Sequence, residues 1–221
     1  MNIIVIIDYG SGNIQSVYNA IKKVSRSSKT KILVSSSVDD VKKATHIILP
    51  GVGSFESCFN GLNKTSLVSV LKEVVFEKEV PFLGICVGMQ MLATRSFEKG
   101  IFNGLDWIKG EVQKIDVENT KLKIPHMGWN TIKFNKKTRF IKKLLEKIEH
   151  NKDKEISAYF VHSYNFKIID ESKKVLTSNY GKEITAMVAQ KNIIGTQFHP
   201  EKSHNFGLAF LETFLELKDF R

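Results

Sequence analysis

The sequence has few cysteines, few prolines and no long apolar run, and each shortage excludes a class of protein. Its two cysteines, Cys58 and Cys86, are too few for a disulfide framework and lack the Cys and His spacing of a structural zinc site. Its four prolines are scattered, so no segment is typical of a Pro-rich linker. No apolar run approaches the roughly 20 residues that cross a bilayer. We therefore expect two free thiols, one of them a candidate nucleophile.

The amino-terminal segment also lacks the pattern of a secretory signal. Met1 and Asn2 are followed directly by Ile3–Ile7, with no basic n-region and no small-residue cleavage site. We expect a cytoplasmic protein that does not contact membranes. With 221 residues, 42% of them hydrophobic and 25% charged, the composition fits a single globular domain over residues 1–221. The sequence has no internal repeat and no low-complexity tract.

Basic residues outnumber acidic ones and give a formal net charge of +10. Many of the lysines lie between Lys133 and Lys154, and a surplus of this kind also occurs in nucleic-acid-binding proteins. The stretch does not interleave aromatic residues for base stacking, and it also contains Glu146, Glu149 and Asp153. We interpret it as a solvated face and expect no nucleic-acid partner.

Short apolar runs alternate with helical patterns in the first half of the chain. The predicted strands are Ile3–Ile7, Ile32–Val34, His46–Leu49 and Phe82–Ile85, and the predicted helices are Ile14–Val24, Val38–Ala44, Leu67–Lys78 and Met89–Ser96. Short runs rich in β-branched residues suit central strands that are covered on both faces. The pattern predicts an α/β fold with a central, mostly parallel sheet flanked by helices.

The second half of the chain is richer in strand patterns. Strands are predicted over residues 112–117, 131–134, 159–166, 174–178, 185–190 and 193–198. One helix is predicted over Arg139–Ile148 and an amphipathic one over Phe206–Leu217. Because short turns separate several of these strands, we expect antiparallel, β-rich additions in the C-terminal half.

The segment Gly84-Ile85-Cys86-Val87-Gly88 has the form G-x-nucleophile-x-G between a predicted strand and a predicted helix. That context is typical of a nucleophile elbow, in which a sharp turn exposes the nucleophile and small residues must flank it. The free N–H groups of the following helix favour a thiolate and can bind an oxyanion. A buried cysteine in a tight turn would give the same five residues, so the segment needs a partner base to be decisive.

His199-Pro200-Glu201 follows the predicted strand 193–198 and supplies that base. Two residues separated by one point to the same side of an extended segment. The His199 imidazole can therefore take the proton of the Cys86 thiol while Glu201 orients the ring, as in a general nucleophile–base–acid triad. Alone, the tripeptide also fits an exposed turn at a strand end. Together with the cysteine elbow it favours a catalytic triad.

Pro50-Gly51-Val52-Gly53 ends the third predicted strand. Ligands of parallel sheets gather at the carboxyl ends of the strands, so this turn is expected beside the elbow. We predict that the backbone amides of Val52 and Val87 stabilise a tetrahedral intermediate. The pattern shows no metal-ligating constellation, and the loop Asp8–Asn13 lacks the third glycine of a dinucleotide fingerprint. We predict no metal and no cofactor.

The motifs GICVGMQ, QFHPE and PGVG together resemble class I, triad-type glutamine amidotransferases. DYGSGN, PHMGWN and YFVHSY narrow the resemblance to the glutaminase subunits of imidazole glycerol phosphate synthase, which act in histidine biosynthesis. The similarity runs from about Ile3 to Leu217. It implies that the enzyme hydrolyses glutamine through a cysteine thioester and passes ammonia to a (β/α)8-barrel synthase subunit, its heterodimer partner.

The resemblance also implies roles for individual residues. Cys86, His199 and Glu201 would be nucleophile, general base and orienting carboxylate. Glutamine would be bound by Gly51, Gln90, Glu98, His162, Ser163 and Tyr164, and the synthase would be contacted by Asn13, Trp129 and Lys202. Glycines 51 and 53 permit the Gly51–Val52 peptide to turn when the partner is loaded, which predicts low glutaminase activity without the partner.

The sequence departs from the family pattern at Val87, at Gly104–Ile108 and at Ser203–Asn205. Val87 stands where leucine is usual, which is a small change, and neither of the other two segments touches the thiol chemistry. The last two resemble paralogues that serve nucleotide-sugar or surface-polysaccharide pathways, so the acceptor of the ammonia stays open between histidine biosynthesis and a sugar. A standalone cysteine hydrolase and a nucleic-acid-binding module are the readings from other classes.

Overall fold

A computed structural model describes residues 2–25, 29–148 and 155–216 of the chain. Its first half is a repeated strand–helix unit. The strands are β1 (Asn2–Ile7), β2 (Thr30–Ser35), β3 (His46–Gly51) and β4 (Phe82–Cys86), and the helices are α1 (Ile14–Val24), α2 (Val38–Lys43), α3 (Phe55–Lys64), α4 (Leu67–Phe76) and α5 (Val87–Gln90). The predicted strands and most predicted helices of this half are confirmed. The stretch around Cys58 after Pro50–Gly53, which is also helix-like in sequence, forms helix α3.

The second half supplies short strands and two further helices. The strands are β5 (Arg95–Ser96), β6 (Phe102–Asn103), β7 (Gly110–Lys114), β8 (His126–Thr131), β9 (Lys133–Phe134), β10 (Ser157–His162), β11 (Tyr164–Ile168), β12 (Lys174–Tyr180), β13 (Lys182–Gln190) and β14 (Ile193–Thr196). The helices are α6 (Arg139–Ile148) and α7 (His204–Glu216). The predicted end of the last helix at Leu217, and residues 149–154 of the basic stretch, lie outside the described residues.

Eight strands form the main sheet in the order β2-β1-β3-β4-β14-β13-β12-β9. Strands β2, β1, β3, β4 and β14 are parallel to one another, and β13, β12 and β9 continue the sheet from β14 in antiparallel pairing. The predicted α/β class, with a mostly parallel centre and antiparallel additions, is confirmed. Three of the added strands extend the same sheet, since β14 pairs with β4 on one side and β13 on the other. The other added strands form a two-stranded sheet, β10-β8, and a four-stranded sheet, β11-β7-β5-β6.

Helices cover both faces of this sheet. The chain passes from β1 outward to β2 and then back across to β3, and right-handed crossovers in opposite directions place their helices on opposite faces. Helix α7 packs against α1 and α6, while α4 packs against α2 and α3. Burial explains the central strands: the last four residues of β1 and all of β3 and β4 are buried. Among the described residues, no helix combines the length and apolar character needed to cross a bilayer.

The predicted helix Met89–Ser96 is wrong. Helix α5 ends at Gln90, and β5 begins at Arg95. The segment Gly104–Ile108 explains the early end, because amides of this segment donate to the carbonyls of Met91, Leu92 and Ala93. Those carbonyls therefore cannot accept the next bonds of a continuing helix. Periodicity alone did not reveal this competition from a distant segment.

Two strand predictions in the second half also need correction. The predicted strand 159–166 is two strands, β10 and β11, which pair with β8 and β7 in different sheets. The bend at Ser163 separates them, and the Ser163 carbonyl accepts from the Ile115 amide. The predicted strand 131–134 covers the end of β8 and the whole of β9, which pair with β10 and β12 in different sheets.

Candidate active site

Cys86 occupies a strained turn between β4 and α5. Its backbone has φ 54° and ψ −109°, a region that costs a non-glycine residue about 1–3 kcal/mol. The flanking glycines are required by close backbone approach. A Cβ on Gly84 would lie 2.5 Å from the Gly88 carbonyl oxygen, and one on Gly88 would lie 1.9 Å from the Leu49 carbonyl oxygen. The sequence thus forms the predicted nucleophile elbow, with a thiol residue that is 4% exposed.

His199 reaches the elbow from the neighbouring strand of the sheet. Strand β14 pairs in register with β4, Thr196 standing opposite Ile85, so the residues that follow both strands emerge at the same edge. The His199 Nδ1 atom lies 2.8 Å from Glu201 Oε1, and the two side chains are only 2% and 1% exposed. His199 Nε2 is buried and has no hydrogen-bond partner among the described residues. This nitrogen is therefore available to exchange a proton at the thiol.

The electrostatics of this pair favour a charged imidazole. Burial alone would lower the pKa of His199, but its interactions with Cys86 and with the Glu201 carboxylate outweigh burial and raise the pKa to about 10. A buried positive charge needs nearby negative partners to be stable. The site therefore favours a protonated His199 imidazole at neutral pH, beside the thiol.

The three residues predicted to contact a partner lie around this triad. Asn13, in the loop after β1, directs Nδ2 to Glu201 Oε1 at 3.3 Å. Trp129 is 47% exposed and stacks on His204, with ring centroids 4.9 Å apart. The Lys202 ammonium lies 5.8 Å from the centre of the Tyr159 ring, which Trp129 also contacts edge-on. Asn13 thus contacts the triad itself, which its place in the sequence did not indicate.

A cavity of about 250 Å³ opens beside the thiol. Its walls contain Cys86 and His199 of the triad, both predicted oxyanion residues and every predicted glutamine-binding residue except Gly51. These predicted residues are Val52, Val87, Gln90, Glu98, His162, Ser163 and Tyr164, and the wall is completed by Gly53, Pro125 and Val161. Gly51 stands directly behind this wall, opposite Cys86 in the pairing of β3 with β4. The structure therefore brings the predicted residues to one place.

Gln90 and Glu98 are held by polar contacts within this wall. Gln90 Nε2 donates to the Tyr164 carbonyl oxygen at 3.2 Å and to Gln197 Oε1 at 3.0 Å. Glu98 Oε2 accepts from the amide of Phe55, at the start of α3, at 2.7 Å. A carboxylate at a helix amino terminus is stabilised by the helix dipole. Both side chains are thereby fixed in position to meet a small polar ligand.

Gln197 is a site residue that the sequence analysis did not single out. It is fully buried, and its Nε2 lies 3.6 Å from Cys86 Sγ. With Gln90 it forms a chain of amides from the thiol to the Tyr164 carbonyl. A signal was present, because Gln197 precedes His199 by two residues and so points to the same side of an extended segment.

The turn after β3 presents a carbonyl, and not an amide, to the elbow. The Ile47 amide donates to the Pro81 carbonyl on the β4 side, whereas the Pro50 carbonyl accepts from the Tyr9 hydroxyl on the β1 side. The backbone N–H and C=O groups of successive residues point to alternate sides of a strand. Those of Gly51 therefore point toward β4, as the amide of Ile47 does. The trans Gly51–Val52 peptide then directs the Val52 N–H away from Cys86. The predicted second oxyanion donor requires this peptide to turn.

The peptides on either side of Gly51–Val52 are anchored. The Tyr9 hydroxyl donates to the Pro50 carbonyl at 2.5 Å. The Val52 carbonyl accepts from Ser11 Oγ at 2.8 Å and from Cys58 Sγ at 3.6 Å. Cys58 is fully buried, and burial raises the pKa of its thiol. It is thus a packed, neutral thiol that helps hold this turn.

Comparison with known proteins agrees with this geometry. Residues 5–217 match the family model described as glutamine amidotransferase class-I. A protein of Bradyrhizobium diazoefficiens, named imidazole glycerol phosphate synthase subunit HisH, is 44% identical over 97% of this chain and 99% of its own length. A subunit of the same name from Pelagibacter ubique is 43% identical over 97% and 99%. Subunit HisH 2 of Methanococcus maripaludis is 40% identical over 96% and 98%.

Solved structures resemble the fold at lower sequence identity. A glutamine amidotransferase crystal structure superposes with a TM-score of 0.67 at 16% identity, covering 95% of this chain and 98% of that one. PurLQS from Thermotoga maritima also gives 0.67, at 17% identity and 97% coverage of both. These two likenesses concern the fold alone. Because the family match and the full-length relatives extend over nearly all residues that build the triad and its cavity, this chain belongs to the class-I glutamine amidotransferase family.

Proposed function

We propose that this chain is the glutaminase subunit of an imidazole glycerol phosphate synthase in histidine biosynthesis. It hydrolyses glutamine to glutamate and ammonia and delivers the ammonia to a synthase subunit. The observation that carries the proposal is the Cys86–His199–Glu201 arrangement at the mouth of a cavity, in a chain 40–44% identical over its length to relatives named HisH.

The geometry supports the following chemistry. The Cys86 thiolate attacks the side-chain amide carbon of glutamine and forms a tetrahedral intermediate. His199 donates its Nε2 proton to the amide nitrogen, and the C–N bond breaks. Ammonia departs, and the glutamyl group remains on Cys86 as a thioester. His199 then takes a proton from water, which attacks the thioester carbon. The C–S bond breaks, glutamate is released, and the thiolate–imidazolium pair is restored.

Glutamine binding is assigned to the cavity wall. Its carboxylate and ammonium groups need polar partners, and Gln90, Glu98 and the segment His162–Tyr164 provide them. Glu98 contributes a negative charge for the substrate ammonium. Gly51 lies behind this wall and can contribute only its backbone, because a Cβ there would lie 2.7 Å from the Gly88 amide nitrogen and 2.9 Å from Val87 Cβ.

The oxyanion donors are the amides of Val87 and Val52. Val87 begins α5 beside the thiol, and Val52 joins after the Gly51–Val52 peptide turns. The anchored carbonyls of Pro50 and Val52 support a turn confined to that one peptide. We therefore expect slow glutamine hydrolysis by the chain alone and faster hydrolysis in the loaded complex.

The partner is a synthase subunit of (β/α)8-barrel type, bound as a heterodimer through the surface that carries Asn13, Trp129 and Lys202. The exposed indole of Trp129 suits such a contact. The compartment proposed is the cytoplasm, which suits two free cysteines. Residues 1–221 form one domain in this proposal, in line with a family match over residues 5–217.

A second acceptor for the ammonia, a sugar in a nucleotide-sugar or surface-polysaccharide pathway, would use the same triad. It is disfavoured by the names of the full-length relatives. A standalone cysteine hydrolase and a nucleic-acid-binding module are disfavoured by the fit of the cavity to the family's glutamine-binding residues.

The test is glutamate release from glutamine by the purified chain, alone and with each barrel-type synthase of the same genome. Cys86→Ala should abolish release, and Cys58→Ser, which alters the other thiol but keeps a donor, should retain most of it. Stimulation by the histidine-pathway synthase is expected. Stimulation by a sugar-pathway synthase alone would overturn the pathway, and the absence of any Cys86-dependent glutamate would overturn the function.

A further inference from the structure

A chain of polar contacts runs from β8 to the cavity wall through two buried histidines. Asn130 Nδ2 lies 3.0 Å from His126 Nε2, His126 Nδ1 lies 2.9 Å from His162 Nε2, and His162 Nδ1 lies 2.8 Å from the Tyr164 carbonyl oxygen. His162 and Tyr164 line the cavity, whereas His126 and Asn130 do not. Neither His126 nor Asn130 takes part in the proposed catalytic cycle.

The chemistry of the end group fixes the direction of every hydrogen bond in this chain. A carbonyl oxygen can only accept, so His162 carries its hydrogen on Nδ1. The Nε2 atom of the neutral ring must then accept, which requires His126 to carry its hydrogen on Nδ1. His126 Nε2 in turn accepts from the Asn130 amide. One tautomer of each ring satisfies all three contacts.

The surroundings keep both rings neutral and in place. Burial lowers the pKa of His126 to about 4 and, with the neighbouring imidazoles of His126 and His199, lowers the pKa of His162 to about 3. His126 is stacked between Phe160 and Tyr180, with centroid distances of 4.7 Å and 4.1 Å. Strands β8 and β10 pair His126 directly opposite His162. The contact between the rings is thus built into the sheet register.

Asn130 anchors the outer end of the chain. Its Nδ2 also donates to the Asn179 carbonyl at 2.9 Å, and its Oδ1 accepts from the Thr131 amide at 2.8 Å. At the inner end, the Tyr164 carbonyl also accepts from Gln90 Nε2. The chain therefore connects β12 of the main sheet to the amide network beside the thiol.

We propose that His126 and Asn130 are positioning residues, which fix the tautomer of His162 and the Tyr164 carbonyl and thereby shape the glutamine pocket. The proposal rests on the proposed function, since it takes the cavity to be the glutamine site. Without a donor at His126 Nδ1, the His162 ring is free to move its hydrogen to Nε2. The unprotonated Nδ1 would then face the Tyr164 carbonyl oxygen. Both atoms are acceptors, so the hydrogen bond between them would be lost.

The experiment compares His126→Phe, which keeps an aromatic ring between Phe160 and Tyr180, with His126→Asn, whose amide offers a donor near the position of Nδ1. Tyr180→Phe is the matched control, since it keeps the stack and removes only the hydroxyl that donates to the Lys123 carbonyl. The glutamine KM and kcat are measured in the complex with the synthase. The tautomer of His162 is read from ¹⁵N chemical shifts of ¹⁵N-histidine-labelled chain, with His162→Gln for assignment.

His126→Phe should raise KM about ten-fold with kcat within about two-fold of the native chain, and should remove the Nδ1–H signature of His162. His126→Asn should recover most of the KM, and Tyr180→Phe should leave it unchanged. An unchanged KM and an unchanged His162 tautomer in folded His126→Phe would overturn the proposal. If that variant does not fold, Asn130→Ala is the deciding variant. A glutamine KM equal to that of the native chain, together with an unshifted ¹⁵N resonance of His126 Nε2, would overturn the proposal. Absence of Cys86-dependent hydrolysis in the native complex would instead count against the proposed function, and the ¹⁵N measurement would still decide the tautomer.

Discussion

Asn13 and Glu201 are in contact, Nδ2 of the first lying 3.3 Å from Oε1 of the second. The same carboxylate oxygen is bound by His199 at 2.8 Å. The loop after the first strand therefore reaches the end of the triad that faces away from the thiol. This contact joins a residue predicted at the partner surface to the group that orients the catalytic base.

Replacing Asn13 by alanine should slow the chemistry of the thiol. Glu201 loses a hydrogen bond that fixes its position, so the imidazolium of His199 is less well supported. We expect alkylation of Cys86 by iodoacetamide at pH 7 to slow about three- to ten-fold, followed by mass spectrometry of the Cys86 peptide. Asn19→Ala, on the exposed face of α1, is the control and should react at the native rate. Equal alkylation rates for Asn13→Ala and Asn19→Ala would show that the Asn13–Glu201 contact does not affect the reactivity of Cys86.

Replacing Glu201 by glutamine should lower the pKa of His199. The raised pKa of about 10 depends on the charges of the Cys86 thiolate and the Glu201 carboxylate acting against burial. With one charge removed, the imidazolium loses its proton at a lower pH. The alkaline limb of the rate of Cys86 alkylation should therefore move down the pH scale by one unit or more. A limb that stays in place would mean that the thiolate alone sets the pKa.

Replacing Ser11 by alanine should reduce partner-stimulated turnover. Ser11 Oγ donates to the Val52 carbonyl, and the remaining donor, Cys58 Sγ, is longer at 3.6 Å. A looser Val52 aligns its amide less well with the tetrahedral intermediate. We expect kcat to fall about three- to ten-fold with little change in the glutamine KM. Cys58→Ser should leave turnover close to native, because a hydroxyl still donates there. A rise in KM with constant kcat would instead assign Ser11 to substrate binding.

Stability should be greatest near neutral pH. Burial lowers the pKa of His46 and of His126 to about 4 and contributes to a value of about 3 for His162. Below about pH 6.5 the unfolded chain binds protons that the native chain does not, so the free energy of unfolding falls as pH drops toward 4. Each such proton contributes at most about 1.4 kcal/mol per pH unit. His199 acts in the opposite sense and loses its contribution between about pH 6.5 and 10.

Urea unfolding at pH 7, 5.5 and 4.5 measures this loss. His46→Leu should make the fall between pH 7 and 5.5 shallower by up to one proton, because burial lowers the pKa of His46 and the variant has no such group. Phe59→Leu, which changes a ring on α3 but no titratable group, is the control and should keep the native slope. A flat profile in the native chain would contradict the prediction.

The main sheet and the triad could be predicted because each depends on short-range patterns. The buried runs of β1, β3 and β4 have the composition of central strands, and the elbow around Cys86 is a five-residue motif. The class of fold follows from the alternation of these runs with amphipathic helices.

The remaining features depend on contacts between distant segments. Helix α5 ends early because residues 104–108 occupy the carbonyls that follow it. Gln197 and Asn13 become site residues only when β14 lies beside β4 and the first loop lies beside Glu201. The His126–His162 contact depends on the register of β8 with β10. Nothing in the local sequence of either strand specifies that register.

The position of β14 has a consequence for synthesis of the protein. Strand β14, which precedes the base His199, follows the nucleophile by more than a hundred residues in the chain, yet it lies between β4 and β13 at the centre of the sheet. A nascent chain that has emerged from the ribosome only as far as β13 contains the Cys86 thiol but lacks both β14 and His199. Contacts of such long sequence separation form late in folding. Ammonia production therefore begins only when synthesis is nearly complete, and a chain truncated before β14 has a nucleophile without its base.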